Sequence, residues 1–171
     1  MLTDVSALHR HCLIDSSGYG DIKDRVSQYL WPHNMKMCNG GALHSQLYGV
    51  FFGNAALLDL HYGASVNIDA GDISDYYLIR VTLQGEGLLS LGKQTAKLHK
   101  GAVTVSSPSQ RSVIQTDSDC RNLILRVERR ALETRLQSLL GRSLKQPLLF
   151  DIQVPADHPG LGAVSATLTY I

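Results

Sequence analysis

The sequence predicts a mainly β fold, a jelly-roll barrel with a short N-terminal helix and C-terminal covering helices. Between residues 43 and 127, short apolar runs alternate with glycine-rich and polar turns, and this regular spacing is typical of consecutive antiparallel strands. Helical spacing of apolar residues precedes and follows this stretch. A chain of 171 residues has the size of a single domain, so one barrel accounts for most of it.

The N-terminal part of the chain predicts an arm, a short helix and a loop. Residues 1–20 are polar and are expected to form a mobile N-terminal arm. Residues 21–32 carry apolar side chains at i, i+4 and i+8, which indicates a helix with Asp21 as its N-cap and Pro32 at its end. Residues 33–41 end in two glycines and are expected to be a loop. The apolar helix positions are Ile22, Val26 and Leu30.

Eight short strands are expected next, because each apolar run is bounded by residues that favour turns. The glycines within 83–108 resemble a phosphate-binding loop, but no helical pattern follows them, and a phosphate cradle needs the N-terminus of a helix. We interpret them as hairpin turns of one antiparallel barrel. The predicted strands are 43–53, 56–68, 75–85, 88–92, 95–99, 102–107, 112–116 and 121–127.

A covering helix is predicted at 129–141, where apolar residues recur with helical spacing and Gly141 stands at the expected C-terminal cap. Residues 151–171 predict a linker and the start of a further helix near Leu161. The barrel domain is thus expected to span 21–150, and the chain to be a fragment of a longer protein. The apolar face of the covering helix consists of Leu132, Leu136, Leu139 and Leu140.

Composition and charge argue against several classes of function. Lys and Arg number 16 against 15 Asp and Glu, a net charge of +1, whereas nucleic-acid-binding domains usually carry a strongly basic face. The three cysteines, Cys12, Cys38 and Cys120, fit neither a disulfide framework nor a zinc-binding spacing. No run resembles a signal peptide or is long enough for a membrane span, which predicts a cytoplasmic protein.

The sequence predicts no catalytic or metal-binding site. His9 and His11 precede the barrel, and His61 and His99 stand singly on different predicted strands, whereas a metal site needs several ligands brought together. The chain also lacks the Gly-x-Ser-x-Gly turn that exposes a serine nucleophile. The expectation is therefore a barrel without metal or cofactor, and a protein that is not an enzyme.

Short stretches of the chain, taken in their order and spacing, resemble the N-terminal effector-binding domain of AraC/XylS-type transcription regulators. The resemblance covers nearly the whole chain. It implies a cupin-like barrel that binds a small-molecule effector without metal, helices that form a homodimer of the full-length protein, and promoter binding by a C-terminal helix-turn-helix domain absent from this chain. The matching stretches include Trp31-Pro32-His33, Leu43-His44, Tyr62-Gly63, Tyr76-Tyr77-Leu78, Leu98-His99-Lys100-Gly101, Cys120-Arg121 and Arg130-Ala131-Leu132.

The effector pocket is expected inside the barrel. In the strand predicted at 121–127, Asn122 and Ile124 share one face, while Leu123 and Leu125 share the other, because side chains alternate along a strand. If the covering helix packs on the two leucines, Asn122 and Ile124 face the interior and are the first candidates for effector contact. The next candidates are Tyr62 and Tyr77.

The XylS-like resemblance also suggests an aromatic carboxylate as the effector. A buried carboxylate needs a cation or several hydrogen-bond donors as partners, and His44 and Arg80 are the candidates near the barrel mouth. An exposed Arg80 on the outer face of its strand is an equal alternative, because Tyr77, Ile79 and Val81 form the more apolar face.

Three functions remain open at this point. The leading one is effector sensing by the regulatory half of a transcription regulator. The alternative is a small metal-dependent cupin enzyme, an isomerase or a dioxygenase, and the third is a structural dimerisation module with a filled barrel. Copurifying metal would indicate the enzyme, and an internal cavity would favour the sensor over the filled module.

Overall fold

The computed structural model describes residues 5–163 of the chain. The helices in this part are the 3-10 helix Ser6–Arg10, α1 (Tyr19–Tyr29) and α2 (Arg129–Leu140). The strands are β1 (Cys12–Ser16), β2 (Asn34–Met37), β3 (Ser45–Phe52), β4 (Ala55–His61), β5 (Val66–Asp72), β6 (Tyr76–Gln84), β7 (Gly87–Leu91), β8 (Gln94–Leu98), β9 (Val103–Ser106), β10 (Arg111–Thr116), β11 (Arg121–Glu128) and β12 (Gln153–Val154).

The strands form two antiparallel sheets that share one core. The larger sheet has the order β1-β3-β4-β11-β6-β9-β12, and the smaller sheet has the order β2-β5-β10-β7-β8. Leu58 and Ile124 from the larger sheet pack in the same cluster as Val66 and Ile68 from the smaller one. The mainly β jelly roll that the sequence predicts is therefore confirmed.

Helix α1 lies at one end of the space between the sheets. Ile22 and Val26 are fully buried in the shared core, as the i, i+4 spacing predicts. The N-cap is Gly18, and Asp21 falls in the first turn instead, where its charge still suits the helix dipole. The helix ends at Tyr29, and its C-cap, Leu30, lies two residues before Pro32.

Residues 6–16 and 34–37 differ from the arm and the loop that the sequence predicts. Strand β1 pairs antiparallel with β3, and β2 pairs antiparallel with β5. Each of these strands buries one apolar side chain, Ile14 in β1 and Met35 in β2. A single buried residue gives no repeating pattern, which explains why the sequence did not reveal either strand.

The long strand predicted at 56–68 is two strands, β4 and β5, separated by a turn. Gly63 in this turn has a φ of +69°, and a Cβ at this position would lie 2.2 Å from the carbonyl oxygen of His44. The turn therefore requires glycine. Nearly every residue of β4 is buried, so the alternation that would have shown the end of the strand is missing.

Helix α2 occupies the predicted position and ends at Gly141, which adopts the left-handed cap with a φ of +64°. It covers less of the barrel than expected, since none of its residues is fully buried. Leu139 and Leu140 are 69% and 47% exposed.

The outer face of the larger sheet is covered mainly by the two ends of the described chain. Leu8 from the 3-10 helix packs with Leu57, Val81 and Leu123 of the sheet, and Val154 and Leu161 pack against the same cluster. Residues 160–163 begin a helical turn; the rest of the further helix expected near Leu161 lies outside the described residues.

Replacing Gly63 with alanine is expected to destabilise the protein by about 2–4 kcal/mol, because the Cβ would meet a backbone carbonyl at a positive φ. Gly53→Ala is the matched control, since Gly53 also has a positive φ, +57°, but open space around it. It should cost only about 1 kcal/mol. Urea unfolding of both variants checks this, and equal losses would contradict the close approach at Gly63.

Candidate functional site

A cavity of about 60 Å³ lies between the two sheets, at the end where α1 meets the barrel. Much of its wall is apolar, with Leu60, Ile68 and Ile124 from the strands and Leu30 and Trp31 from the segment after α1. The polar residues on the wall are His33, Tyr62, Arg80, Ser112, Thr116 and Asn122. An apolar chamber with a few polar groups is the usual composition of a small-molecule site.

Strand pairing fixes which side chains reach this cavity. Directly opposed residues on neighbouring strands share a face of the sheet, and β11 places Ile124 opposite Arg80 of β6. On its other side β11 places Asn122 opposite Leu60 of β4. The larger sheet therefore presents these four residues to the interior as one surface.

Asn122 is held by its neighbours in one orientation. Thr82 Oγ1 donates a hydrogen bond to Asn122 Oδ1 at 3.1 Å, and Asn122 Nδ2 donates to Cys120 Sγ at 3.3 Å. Both ends of the amide are engaged, so Asn122 forms a fixed polar part of the wall.

Arg80 is a buried cation without a counterion. It is 6% exposed, makes no ion pair with any residue of 5–163, and its Nη1 has no protein hydrogen-bond partner there. Burial lowers the pKa of Arg80 to about 10, partly offset by Cys120 and Tyr62. The guanidinium stays charged at neutral pH, and an uncompensated buried charge costs several kcal/mol.

Two further polar atoms on the cavity wall lack a partner. Within the described residues, buried side-chain atoms without a protein hydrogen bond include Thr116 Oγ1 and His33 Nε2 as well as Arg80 Nη1. Buried polar groups are paired in the large majority of cases. Three of the seven such atoms among the described residues therefore lie around this one cavity.

Leu30 and Trp31, which follow α1, line one side of the cavity, and Arg126 contacts the last residue of α1. The guanidinium of Arg126 donates to the backbone carbonyl of Tyr29 and lies 4.5 Å from the ring centre of Tyr76 and 5.6 Å from that of Phe51. Trp31 packs edge-on against the same Tyr76, with 6.0 Å between ring centres. Arg126 and Trp31 are therefore linked through the ring of Tyr76.

Four of the six predicted site residues line the cavity: Asn122, Ile124, Tyr62 and Arg80. Burial raises the pKa of Tyr62, so its phenol stays neutral. The equal alternative for Arg80, an exposed position on the outer face, is wrong, because Arg80 is buried on the inner one.

Tyr77 and His44 lie elsewhere, which corrects two predictions. Tyr77 is on the opposite face of β6, where its hydroxyl is 2.9 Å from both Glu133 Oε1 and the carbonyl of Leu148. Alternation along β6 forces this, since Arg80 and Tyr77 are an odd number of residues apart. His44 is exposed at the surface and pairs with Asp15 at 3.2 Å.

Sequence reasoning missed His33, Thr116 and Trp31. Thr116 could have been found, because Ser112, Ile114 and Thr116 alternate along β10 and all line the cavity. His33 and Trp31 belong to a segment interpreted as a helix end and a loop, and only the closed fold shows that they reach the interior.

Within residues 5–163, no group of three His, Cys, Asp or Glu side chains is arranged to hold a metal ion. The helices in this range are all too short or too polar to span a bilayer.

The family model of the AraC-binding-like domain matches residues 22–171. Because this match covers most of the chain, the protein belongs to that family, a regulatory domain of AraC/XylS-type transcription regulators. The mainly β fold with two antiparallel sheets also agrees with what the resemblance implied.

Similar proteins are regulators of transcription. The XylDLEGF operon transcriptional activator 1 of Pseudomonas putida is 24% identical over 62% of this chain and 33% of its own length. The probable thc operon regulatory protein of Rhodococcus erythropolis is 24% identical over 77% of this chain and 41% of its own length. The chain thus spans well under half of these relatives.

One solved structure supports the fold independently. The crystal structure of the AraC-like transcriptional activator CuxR matches with a TM-score of 0.53 at 11% identity, over 64% of this chain and 43% of that one.

Arg80→Met is expected to stabilise the free protein by about 1–3 kcal/mol, because methionine fills a similar space without a buried charge. Arg142→Met is the control, since Arg142 is exposed, and it should change stability by less than about 0.5 kcal/mol. Both are measured by urea unfolding without added acids. A loss of stability in Arg80→Met would contradict an uncompensated cation at this position.

Proposed function

We propose that this domain senses a small-molecule effector in the cavity between its sheets, and that the effector is a carboxylate bound by Arg80. The observation that carries the proposal is the buried guanidinium of Arg80 without a protein counterion. A carboxylate would neutralise it through charge-assisted hydrogen bonds, which are among the strongest in proteins. The hydroxyl of Thr116, which also lacks a partner, supplies a second donor.

The rest of the wall suits a compact apolar body. Leu60, Ile68 and Ile124 surround the space next to Arg80, and their burial against a ring or a short alkyl chain contributes about 25 cal/mol per Å² of apolar surface. The free volume of about 60 Å³ argues against a large ligand. A carboxylic acid with one aromatic ring, the class suggested by the sequence, fits once the segment after α1 moves outward.

This role is regulatory and not enzymatic. The family and the relatives support a regulator over the metal-dependent cupin enzyme considered from the sequence. The unpartnered polar atoms around the cavity favour a sensor over a structural module with a filled barrel. In a module whose barrel is only a core, an uncompensated buried cation would lower stability without serving binding.

A structural change caused by effector binding would be transmitted to the surface through β11. This strand carries Ile124 and is followed directly by α2, which begins at Arg129. Arg129 pairs with Glu133 at 3.0 Å, and Glu133 also accepts from Tyr77 of β6. In this proposal the exposed leucines of α2 contribute to a homodimer of the full-length regulator. In this proposal, promoter DNA is bound by a part of the full-length regulator outside residues 1–171. The regulator acts in the cytoplasm.

Isothermal titration with benzoate tests the carboxylate site, with benzamide as an uncharged ligand of the same shape. We expect benzoate to bind more tightly than benzamide, and Arg80→Met to weaken benzoate binding at least about tenfold while changing benzamide binding little. Arg142→Met should bind both as the unaltered protein does.

The same titration is extended to 3-phenylpropionate and hexanoate with their amides, so that the result does not depend on one shape of acid. The proposed function would be contradicted if the protein bound none of the acids, or if the Arg80→Met variant bound them as tightly as the unaltered protein does.

A further inference from the structure

We propose that the effector carries, besides its carboxylate, a hydrogen-bond donor such as a hydroxyl group, and that His33 Nε2 accepts this hydrogen bond at the mouth of the cavity. This inference rests on the proposed function and adds a second point of recognition to it. It follows from the tautomer of His33, from the burial of Nε2 and from the place of His33 in the barrel.

The neighbours of His33 determine where its proton lies. Nδ1 is 2.8 Å from the backbone carbonyl oxygen of Trp31, and a carbonyl oxygen can only accept, so Nδ1 must carry the hydrogen. Ser27 Oγ lies 3.2 Å from the same nitrogen. In a neutral imidazole the other nitrogen, Nε2, is then an acceptor.

His33 stays neutral at physiological pH. Burial lowers its pKa from the usual value, and the positive charge of Lys23 acts in the same direction, while the hydrogen bond to Trp31 opposes them. Nε2 is buried and has no protein partner among residues 5–163. A ligand that offers a hydrogen to this atom would satisfy it, whereas an acceptor or an apolar group would leave it unpaired, at a cost.

His33 and Thr116 reach the cavity from different levels of the smaller sheet. On the smaller sheet, Asn34 stands opposite Asp69 of β5, which places His33 level with Ala70. Thr116 stands opposite Val66, four residues away along β5, or about 13 Å of strand. A carboxylate near Arg80 and Thr116 and a donor near His33 would therefore occupy two ends of one molecule.

The experiment compares three matched forms of one acid: 4-hydroxybenzoate, 4-fluorobenzoate and benzoate. Fluorine is close to a hydroxyl group in size but cannot donate, so the set separates donation from shape. A second set, 3-(4-hydroxyphenyl)propionate with its fluoro and unsubstituted forms, and a third, 6-hydroxyhexanoate with hexanoate, vary the distance between carboxylate and hydroxyl. Affinities are measured by isothermal titration.

In at least one set we expect the hydroxyl form to bind about tenfold more tightly than its matched forms, the gain of one buried hydrogen bond. His33→Phe should abolish this preference, so that the hydroxyl form binds no more tightly than its matched forms. His11→Phe is the control, because His11 is exposed and away from the cavity, and it should keep the preference.

Two results would overturn the inference: no preference for the hydroxyl form in any set, or a preference that survives in His33→Phe. The comparison of hydroxyl with fluoro acids decides the first result on the unaltered protein, so the test does not depend on the folding of a variant. If the acids bind and need Arg80 but show no preference, only the inference about His33 fails. If no acid binds, the proposed function fails with it.

Discussion

The pairing of β11 with β4 on one side and β6 on the other is the constraint on which the rest of the structure depends. It places Asn122 and Ile124 on the inner face and Leu123 on the outer one. A slip of one residue would exchange the two faces, which would turn Asn122 and Ile124 outward and Leu123 into the cavity. The same strand leads directly into α2 at Arg129. The position of β11 therefore determines both the cavity wall and the start of α2.

Within this frame the protein keeps a charge where stability alone would favour an apolar side chain. Arg80, Thr116 and His33 each have an unpaired polar atom at the wall of one small cavity. Arg126 donates a hydrogen bond to Tyr29, the last residue of α1, next to this cavity. Departures from the rule that buried polar groups are paired are expected at functional sites. In the proposed function, a complementary ligand would relieve this energetic cost of the free domain.

The sequence predicts the regular part of the fold well, because turns of glycine, proline, serine and aspartate mark β7 to β11, and periodic leucines and Gly141 mark α2. It misses β1 and β2, each of which buries a single apolar residue, and it fuses β4 with β5 because β4 lacks alternation. Alternation along β11 places Asn122 and Ile124, but Tyr77 was assigned to the wrong face of β6. The role of His33 depends on how the segment after α1 closes over the barrel, which no local pattern encodes.

The proposal that a carboxylate effector binds between the sheets against Arg80 is tested most directly by a crystal structure of the protein with saturating benzoate. We expect the carboxylate within about 3 Å of Arg80 Nη1, a normal hydrogen-bond distance, with the ring against Ile124. Benzoate bound only on the outer surface, or Arg80 paired with an Asp or Glu of the protein, would contradict it.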